Sequence, residues 1–448
     1  MAEEITIRIP DKVRDILRRV KAAGYDAYVV GGCVRDSIMG TEPDDWDITT
    51  DASPGQVKKV FSRTIDTGIQ HGTVTVRWQG ESFEVTTFRQ DGAYEDHRHP
   101  DQVAFTKSLR EDLRRRDFTI NAMAYNDEAG LVDLFGGMDD LKRGIVRCVG
   151  NPRERFEEDA LRVLRAVRFC AKLGFSMDGA TREAAGQMAP SLGYVSAERI
   201  RTELEKMIMS PHPEEIRTAY ECGITKVILP EFDAEMQAMQ NNRHHRLSVG
   251  EHTIRTMMAA PPDRILRWTM LLHDIGKPSV QTIAKDGVYH YHNHAEAGAV
   301  IAENVLKRLK FDKAAQRDIV ALIRGHSLYP ALSDEAVRRS VVRLSPRLFP
   351  LFMTVKRSDI RGQNEEVQQE KLKYMDQVEE IYQRILQRGD CLSLRELAVT
   401  GDDLMEAGVS KGKQMGEILD KLFDEVLQDP ALNRRDYLMK RARLLTLD

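Results

Sequence analysis

Long apolar runs are missing from this chain, and no stretch approaches the length that spans a bilayer, so the composition argues against a membrane protein. Cysteine is scarce as well. Cys33, Cys148, Cys170, Cys222 and Cys391 are scattered, odd in number and never spaced C-x-x-C, which speaks against a disulfide framework or a structural zinc site and for reduced core thiols. Charge of one sign is not in excess: 66 Lys and Arg face 70 Asp and Glu, so a net charge of −4 does not draw the whole chain to nucleic acid. Any RNA contact must then come from local patches. Candidates are Arg114-Arg115-Arg116, Arg243-His244-His245-Arg246, and Arg434-Arg435 with Lys440, Arg441 and Arg443, each of which reads equally well as a solvated helix face. The opening MAEEITIRIP lacks a basic segment followed by an apolar one, so it does not read as a leader and the cytoplasm is the expected location. Short repeats and low-complexity linkers are absent too.

What is present is length and a change of pattern. At 448 residues the chain is too long for one ordinary core, and two to four domains are expected. Residues 27 to 90 carry strand patterning in AYVV, WDITT, TVTVRW and SFEVTTF, with a Gln79-Gly80 turn, and Ser53-Pro54 opens a short helix as N-cap and first helical residue. From about residue 153 the pattern turns helical, as in RERFEEDALRVLRAVRFCAKLGF and AERIRTELEKMIM. The fold class expected is α+β: a small mixed-sheet head followed by an extended all-α body.

The stretch GGCVRDSIMGTEPDDWDITT, residues 31 to 50, concentrates the chemistry of the head. Side chains alternate along a strand, so a strand here puts Asp45 and Asp47 on one side and Trp46 and Ile48 on the other. Adjacent anions call for a cation, and Mg²⁺ shared with substrate phosphates is the usual answer. In the following hairpin Glu84 shares a face with Ser82 and Thr86 and supplies a third carboxylate. Gly31-Gly32 turns the backbone ahead of a helix over Cys33 to Met39, a natural place for a triphosphate, with Arg35 one turn in. A glycine pair or a D-x-D alone is common. Together with Arg35-Asp36 and a third acid they describe a two-metal nucleotidyl-transfer site, in which metals activate a 3′-hydroxyl and steady the leaving pyrophosphate. Further on, Asp159 and Arg162 stand three apart, so on a helix one offers acceptors and the other donors from the same face. Such a pair can read the Watson–Crick edge of cytosine or adenine, or be an ordinary salt bridge. Arg115, Arg116, Asp117 and Asn121 suit ribose and phosphates, with Asp117 accepting from a 2′-hydroxyl; a basic contact to RNA competes with that reading.

These motifs resemble, in family order over essentially the first 230 residues and more weakly over 390 to 445, the class II nucleotidyltransferases that hold tRNA CCA-adding enzymes and bacterial poly(A) polymerases. GGCVRD and DDWDIT stand at the catalytic motif. RRRDFTINAMAYN, residues 114 to 126, resembles the motif that contacts the nucleotide sugar, and DLFGG, residues 133 to 137, falls at the hinge. EEDALRVLRAVRF, which includes Arg165 as well as Asp159 and Arg162, resembles the base-selecting motif, and AERIRTEL the helix that braces it. RQDGAYEDHRHPDQV, residues 89 to 103, resembles the loop that accompanies the switch from adding C to adding A, which argues against a CC-only enzyme. LAVTGDDLMEAGVSKGKQMGEILDKLFDEVL resembles the family tail, with Gly401 to Gly408 as a loop.

A second constellation runs through His252, His273-Asp274 in LLHDIGK, His294, His326 and Asp359. Imidazoles and carboxylates drawn from separate helices suit a first-row divalent metal whose bound water becomes a nucleophile. The pattern resembles the HD phosphohydrolases, with His252, His273, Asp274 and Asp359 matching the core and His294 and His326 the extra histidines of two-metal members. His290 and His292 read as polar neighbours. The resemblances imply a nucleotidyltransferase head over 1–150, a helical nucleotide-selecting and RNA-binding neck over 151–240, an HD-type metal-binding domain over 241–365 and a tRNA-binding tail over 366–448. They imply template-independent addition of C, C and A to tRNA from CTP and ATP with Mg²⁺, and an HD site holding Ni, Mn, Co or Fe. An A-only adding enzyme, a poly(A) polymerase, and an HD phosphohydrolase with a nucleotide-sensing head stay open beside it. Oligomeric state is left open by the sequence.

Overall fold

The computed structural model describes residues 5–91, 103–241, 247–285 and 287–447. The greater part of the 89–103 loop and the Arg243–Arg246 patch lie outside the described residues. Two compact units divide the chain, Met1–Pro230 and Glu231–Asp448.

In the first unit a seven-stranded sheet runs in the order Thr64–Gly68, Thr73–Trp78, Glu81–Thr87, Ile48–Thr50, Ala27–Val30, Met123–Asn126, Gly130–Asp133. Only the pairing of Ile48–Thr50 with Glu81–Thr87 is parallel. The hairpin turns where expected, with Gln79 at φ 47° and Gly80 at φ 85°, the left-handed pair that matches strand twist. Ser53 caps the helix Pro54–Val60 in a reciprocal capping box with Gln56. The helix Asp11–Ala22 buries Val13, Ile16, Leu17 and Val20, spaced as one helical face, in a core shared with Val29, Ile48, Val74 and Val85. The DLFGG segment is a tied turn: Asp133 accepts from the amides of Phe135, Gly137 and Met138 at 3.3, 2.9 and 2.9 Å. A Cβ at Gly137 would stand 2.4 Å from the Thr119 carbonyl oxygen, so only glycine fits there.

After the sheet come helices Pro152–Glu158, Leu161–Leu173, Gly179–Met188 and Ala197–Ile208. Asp159 separates the first two with an extended backbone, φ −142° and ψ 105°. It therefore lies outside the helix that carries Arg162, contrary to the expectation of one continuous helix.

The second unit is helical apart from one hairpin of two-residue strands, Thr282–Ile283 with Tyr289–His290. Helices Val249–Ala259, Arg264–Leu272, His294–Arg308, Lys313–Gly325 and Phe349–Gly362 surround the histidine and aspartate positions. Phe349, Phe352, Met375, Val378 and Ile385 fill the next core, and Leu404, Leu422, Val426 and Leu438 the last. Gly401 to Gly408 is not a loop. Gly401–Glu406 forms a helix because Thr400 and Asp403 make a capping box that starts one. Among the described residues no helix is long and apolar enough to cross a membrane.

Candidate active site and a histidine–aspartate centre

The strand expected to carry Asp45 and Asp47 begins only at Ile48, so both acids lie in the approach to it. The sidedness holds nonetheless. Trp46 packs with Ile48 toward the core while Asp45 and Asp47 stay exposed. Parallel pairing aligns Ile48 with Val85, which puts the preceding residues, Asp47 and Glu84, beside one another. Desolvation by the surrounding chain holds the Asp47 carboxyl above its ordinary value; the Asp45 charge and, more weakly, Glu84 add to this, and Arg116 opposes it. Three acids crowding one corner with a single arginine against them form a donor set that fits a hard cation.

Gly31 adopts φ 82°, and its amide donates to the Met123 carbonyl at 3.1 Å. A Cβ there would stand 3.0 Å from Arg116 Nη1, so glycine lets the arginine approach the turn. Next to it Gly32 starts the helix Gly32–Ile38, which carries Arg35. Arg35 is buried, donating through Nε to Asp36 at 2.7 Å and through Nη1 to Asn121 Oδ1, with its cation over the Phe169 ring.

Asp117 departs from the expected role. Its Oδ1 accepts from Phe118 N at 2.8 Å and Asn121 Nδ2 at 3.1 Å, and its Oδ2 takes both Nε and Nη2 of Arg165 at 3.0 and 2.6 Å. That fills the acceptor capacity of a carboxylate, so Asp117 fixes Asn121 and Arg165 rather than offering a lone pair to a 2′-hydroxyl. Asp159 and Arg162 do not pair with each other either. Asp159 Oδ1 accepts from Leu161 N at 3.1 Å and its Oδ2 from Arg199 Nη2 at 2.9 Å. Arg162 is held by Glu158 at 2.5 Å and by the carbonyls of Arg155 and Arg115 at 3.1 and 2.8 Å. The bracing helix Ala197–Ile208 supplies Arg199 and also Glu203, which pairs with Arg168 at 2.7 Å and Arg165 at 3.6 Å.

Asp112 escaped the sequence reading. It is fully buried and accepts from Thr49 Oγ1 at 3.1 Å, from Arg115 at 3.1 and 2.8 Å and from Arg116 at 3.4 Å. Its spacing of three and four residues to the arginines was the available signal. Glu203 and Arg199 act only through tertiary packing and left none.

In the second unit all the predicted positions converge. His252, His273, His294 and His326 each turn Nδ1 toward a backbone carbonyl, of Gly362, Met270, Tyr291 and Ile323, at 3.1, 2.8, 2.8 and 2.6 Å. A carbonyl only accepts, so each Nδ1 carries the proton and each neutral ring aims an Nε2 lone pair inward. Those lone pairs meet. His252 and His273 Nε2 are 3.4 Å apart, His294 and His326 Nε2 3.1 Å, and Asp274 touches both pairs at 3.3 to 3.7 Å. Asp359 joins the first pair through His252 at 3.1 Å. His252, His273 and Asp274 form one triad that can hold a metal, and Asp274, His294 and His326 a second. Asp274 Oδ2 is buried and accepts no hydrogen bond of good geometry, although Lys277 Nζ stands 2.7 Å away. Facing lone pairs around an orphaned carboxylate oxygen fit divalent cations. Lys356 lies beneath, 3.9 Å from Asp359 and 3.7 Å over the Tyr329 ring, and burial pulls its ammonium down to about 8. His290 and His292 stack on each other instead of joining.

A head of this topology with an acidic corner, an arginine-lined turn and a bracing helix defines a nucleotidyltransferase, and the model of the poly A polymerase head domain matches residues 27–147. A tRNA nucleotidyltransferase domain 2 model matches 293–442. The chain is 34% identical to the CCA-adding enzyme of Lactiplantibacillus plantarum over 440 residues, covering 96% of this chain and 95% of that one. It is 36% identical to the Bacillus velezensis CCA-adding enzyme over 427 residues, 95% of each. Among solved structures it resembles the Bacillus stearothermophilus CCA-adding enzyme in complex with CTP, with TM-score 0.72 and 29% identity over 97% of this chain and 98% of that one. The fold is also that of the Thermotoga maritima CCA-adding enzyme complexed with tRNA, TM-score 0.57 at 20% identity over 98% and 97%. The chain belongs to the CCA-adding enzyme family.

Proposed function

We propose that this chain adds C, C and A in turn to immature tRNA 3′ ends in the cytoplasm, drawing on CTP and ATP without a nucleic-acid template. The observation that carries the reading is the acidic corner of Asp45, Asp47 and Glu84 facing Arg116 beside the Gly31 turn. Asp45 and Asp47, with Glu84, would hold magnesium, which when bound supplies the positive charge for the two-metal form of nucleotidyl transfer. In that reaction the 3′-hydroxyl oxygen of the tRNA bonds to the α-phosphorus, the bond to pyrophosphate breaks, and the hydroxyl proton is lost. Arg116 and Arg35 would favour the triphosphate at the glycine turn, while Arg115, held by Asp112, and Asn121, held by Asp117, would shape the sugar side. Asp159 and Arg162 would read the base, with Arg165 steadying the floor beneath. The proposed division of labour is catalytic head 1–150, neck 151–240, metal-binding domain 241–365 and tail 366–448, the helical parts meeting tRNA through shape and phosphates.

The test is incorporation of labelled CTP and ATP, separately and together, into a tRNA transcript ending before CCA and into one ending in CC. CTP addition followed by one A is the expected result. ATP alone entering the CC transcript once would mean an A-adding enzyme, and a long ladder a poly(A) polymerase.

A second activity is favoured by one observation, the contact of Asp274 with both histidine pairs. Such a centre suits nickel, manganese, cobalt or iron and metal-assisted hydrolysis of phosphate esters, with 2′,3′-cyclic phosphate or 3′-phosphate RNA ends as substrates. Cleaning an end before nucleotides are added would join the two activities. Phosphate release with added Ni²⁺, Mn²⁺ or Co²⁺ is the check, and a flat response removes this activity. If incorporation fails while phosphate is released, the head is a nucleotide sensor on a phosphohydrolase.

A further inference from the structure

On the Asp359 side of the histidine–aspartate centre lies a cavity of about 540 Å³, within the range of small-molecule sites. One wall is Tyr329, just past His326. The other is the helix Glu365–Arg388, from which Lys371, Lys373 and Tyr374 line the space with Glu370. Side-chain links connect these walls to the centre. Lys371 Nζ donates to Gln363 Oε1 at 2.5 Å, and Gln363 Nε2 donates to Asp359 Oδ1 at 3.3 Å. Lys356 bridges the Tyr329 ring face, at 3.7 Å, to Asp359 Oδ2, at 3.9 Å. The cavity wall is thus in register with a candidate metal ligand through two independent contacts.

Its lining is specific in kind. Tyr329 is 45% exposed although it sits against buried chain, which leaves a large aromatic surface at the cavity edge. Tyr374 stands across from it at 6.1 Å between ring centroids, its hydroxyl tied to the Pro330 carbonyl at 2.6 Å. Rings held this way accept a flat heteroaromatic partner, whereas a sugar or an alkyl chain gains little from them. Lys371 and Lys373 outweigh Glu370 and favour an anion next to the rings.

We propose that this cavity is the nucleoside subsite of the histidine–aspartate centre: it takes the base and ribose of a nucleoside phosphate ester and stacks the base on Tyr329, with the phosphate directed toward Asp274 and Asp359. The proposal rests on the phosphohydrolase reading above. In the reaction it serves, a water oxygen bonds to phosphorus, the ester P–O bond breaks, and the released ribose oxygen takes the proton the water gives up.

The experiment uses the full chain with Mn²⁺ and follows phosphate release from adenosine 3′-monophosphate and from glycerol 2-phosphate, which has no ring to stack. Tyr329→Ala is expected to raise KM for the adenosine substrate about tenfold with a small change in kcat, to affect glycerol 2-phosphate far less, and to be rescued by Tyr329→Trp. Equal losses on both substrates, or no change on either, overturn the subsite while leaving the hydrolase intact. If the wild type hydrolyses neither, the phosphohydrolase reading falls, and calorimetric binding of adenosine 3′-monophosphate decides the subsite. Binding that persists in Arg162→Ala, where the head is impaired, and vanishes in Tyr329→Ala supports it; binding that is absent or indifferent to Tyr329→Ala ends it.

Discussion

Replacing Asp112 tests how the acidic corner is kept in order. This carboxylate is fully enclosed and gathers Thr49, Arg115 and Arg116, and the last of these also faces Asp47. Asp112→Ala leaves two guanidinium groups aimed at a hole, and breaking a buried ion pair by removing one partner costs about 3–5 kcal/mol. For a unit of the size of Met1–Pro230, each kcal/mol moves the midpoint by about 2–4 °C, so a fall of roughly 6–20 °C is expected. Scanning calorimetry on the full chain reads it in the transition that CTP shifts upward. Asp112→Asn keeps the shape and removes the charge, so its fall is smaller, while KM for CTP rises because Arg116 loses an anchor. The pH dependence has a definite sign. Burial pushes the Asp112 carboxyl up, but Arg115 and Arg116, with the Arg115 and Thr49 hydrogen bonds, more than reverse this and leave it lowered. Its contribution is therefore full above the ordinary carboxylate range and is lost as pH falls through the lower folded value. The gap between wild type and Asp112→Asn should be flat from about pH 5 to 8 and close below about pH 4. A midpoint change under about 2 °C in Asp112→Ala, with CTP kinetics unaltered, would refute the argument.

Asp45→Ala should lower CTP and ATP incorporation by at least about a thousandfold while leaving the calorimetric midpoint within about 2 °C, since its side chain is exposed and its charge only adds repulsion. Asp274→Asn should empty both metal positions of the second unit, and His326→Ala only one, as read by metal stoichiometry after desalting; equal loss in the two variants would contradict the bridging geometry. At Gly276 an added Cβ would stand 2.3 Å from the His294 carbonyl oxygen and 2.4 Å from the Gly298 amide nitrogen, both backbone atoms that cannot step aside. Gly276→Ala should therefore cost about 1–3 kcal/mol or more and reduce metal retention, whereas Gly179→Ala, which meets open space, should do neither. Arg199→Ala releases Asp159 Oδ2, and discrimination between CTP and UTP should fall more steeply than the maximal rate of CTP addition.

Where the sequence was legible, a local rule and the tertiary fold agreed. Ser53-Pro54 with Gln56, the Gln79-Gly80 turn and the alternation of Phe83, Val85 and Thr87 are set by neighbours within a few residues, and each appears in the structure as read. The histidine and aspartate positions were legible for another reason. Few roles other than metal binding bring imidazoles from so many helices to one point, and all of them met. What stayed illegible depends on partners distant in sequence. Nothing near Asp117 announces that Arg165, 48 residues on, fills its second oxygen. Likewise the helix at Gly401–Glu406 was hidden because its glycine suggested a loop, while the Thr400 and Asp403 capping box outweighed it.

The separation of Asp159 from Arg162 is the correction with the most functional content. A carboxylate and a guanidinium joined in an i,i+3 bridge would spend their charge on one another and present a neutral surface to a base. Here the helix breaks at Asp159, whose carboxylate is turned onto the Leu161 amide and Arg199, while Arg162 is clasped by Glu158 and by main-chain carbonyls on two other segments. Each group is thus aimed by its own supports, and neither depends on the other for its rotamer. Rigid, independently supported donors and acceptors are what a protein needs to stand in for a template strand. The local spacing that seemed to recommend the pair was therefore the wrong geometry for the role, and the extended residue at Asp159 is what makes the right one available.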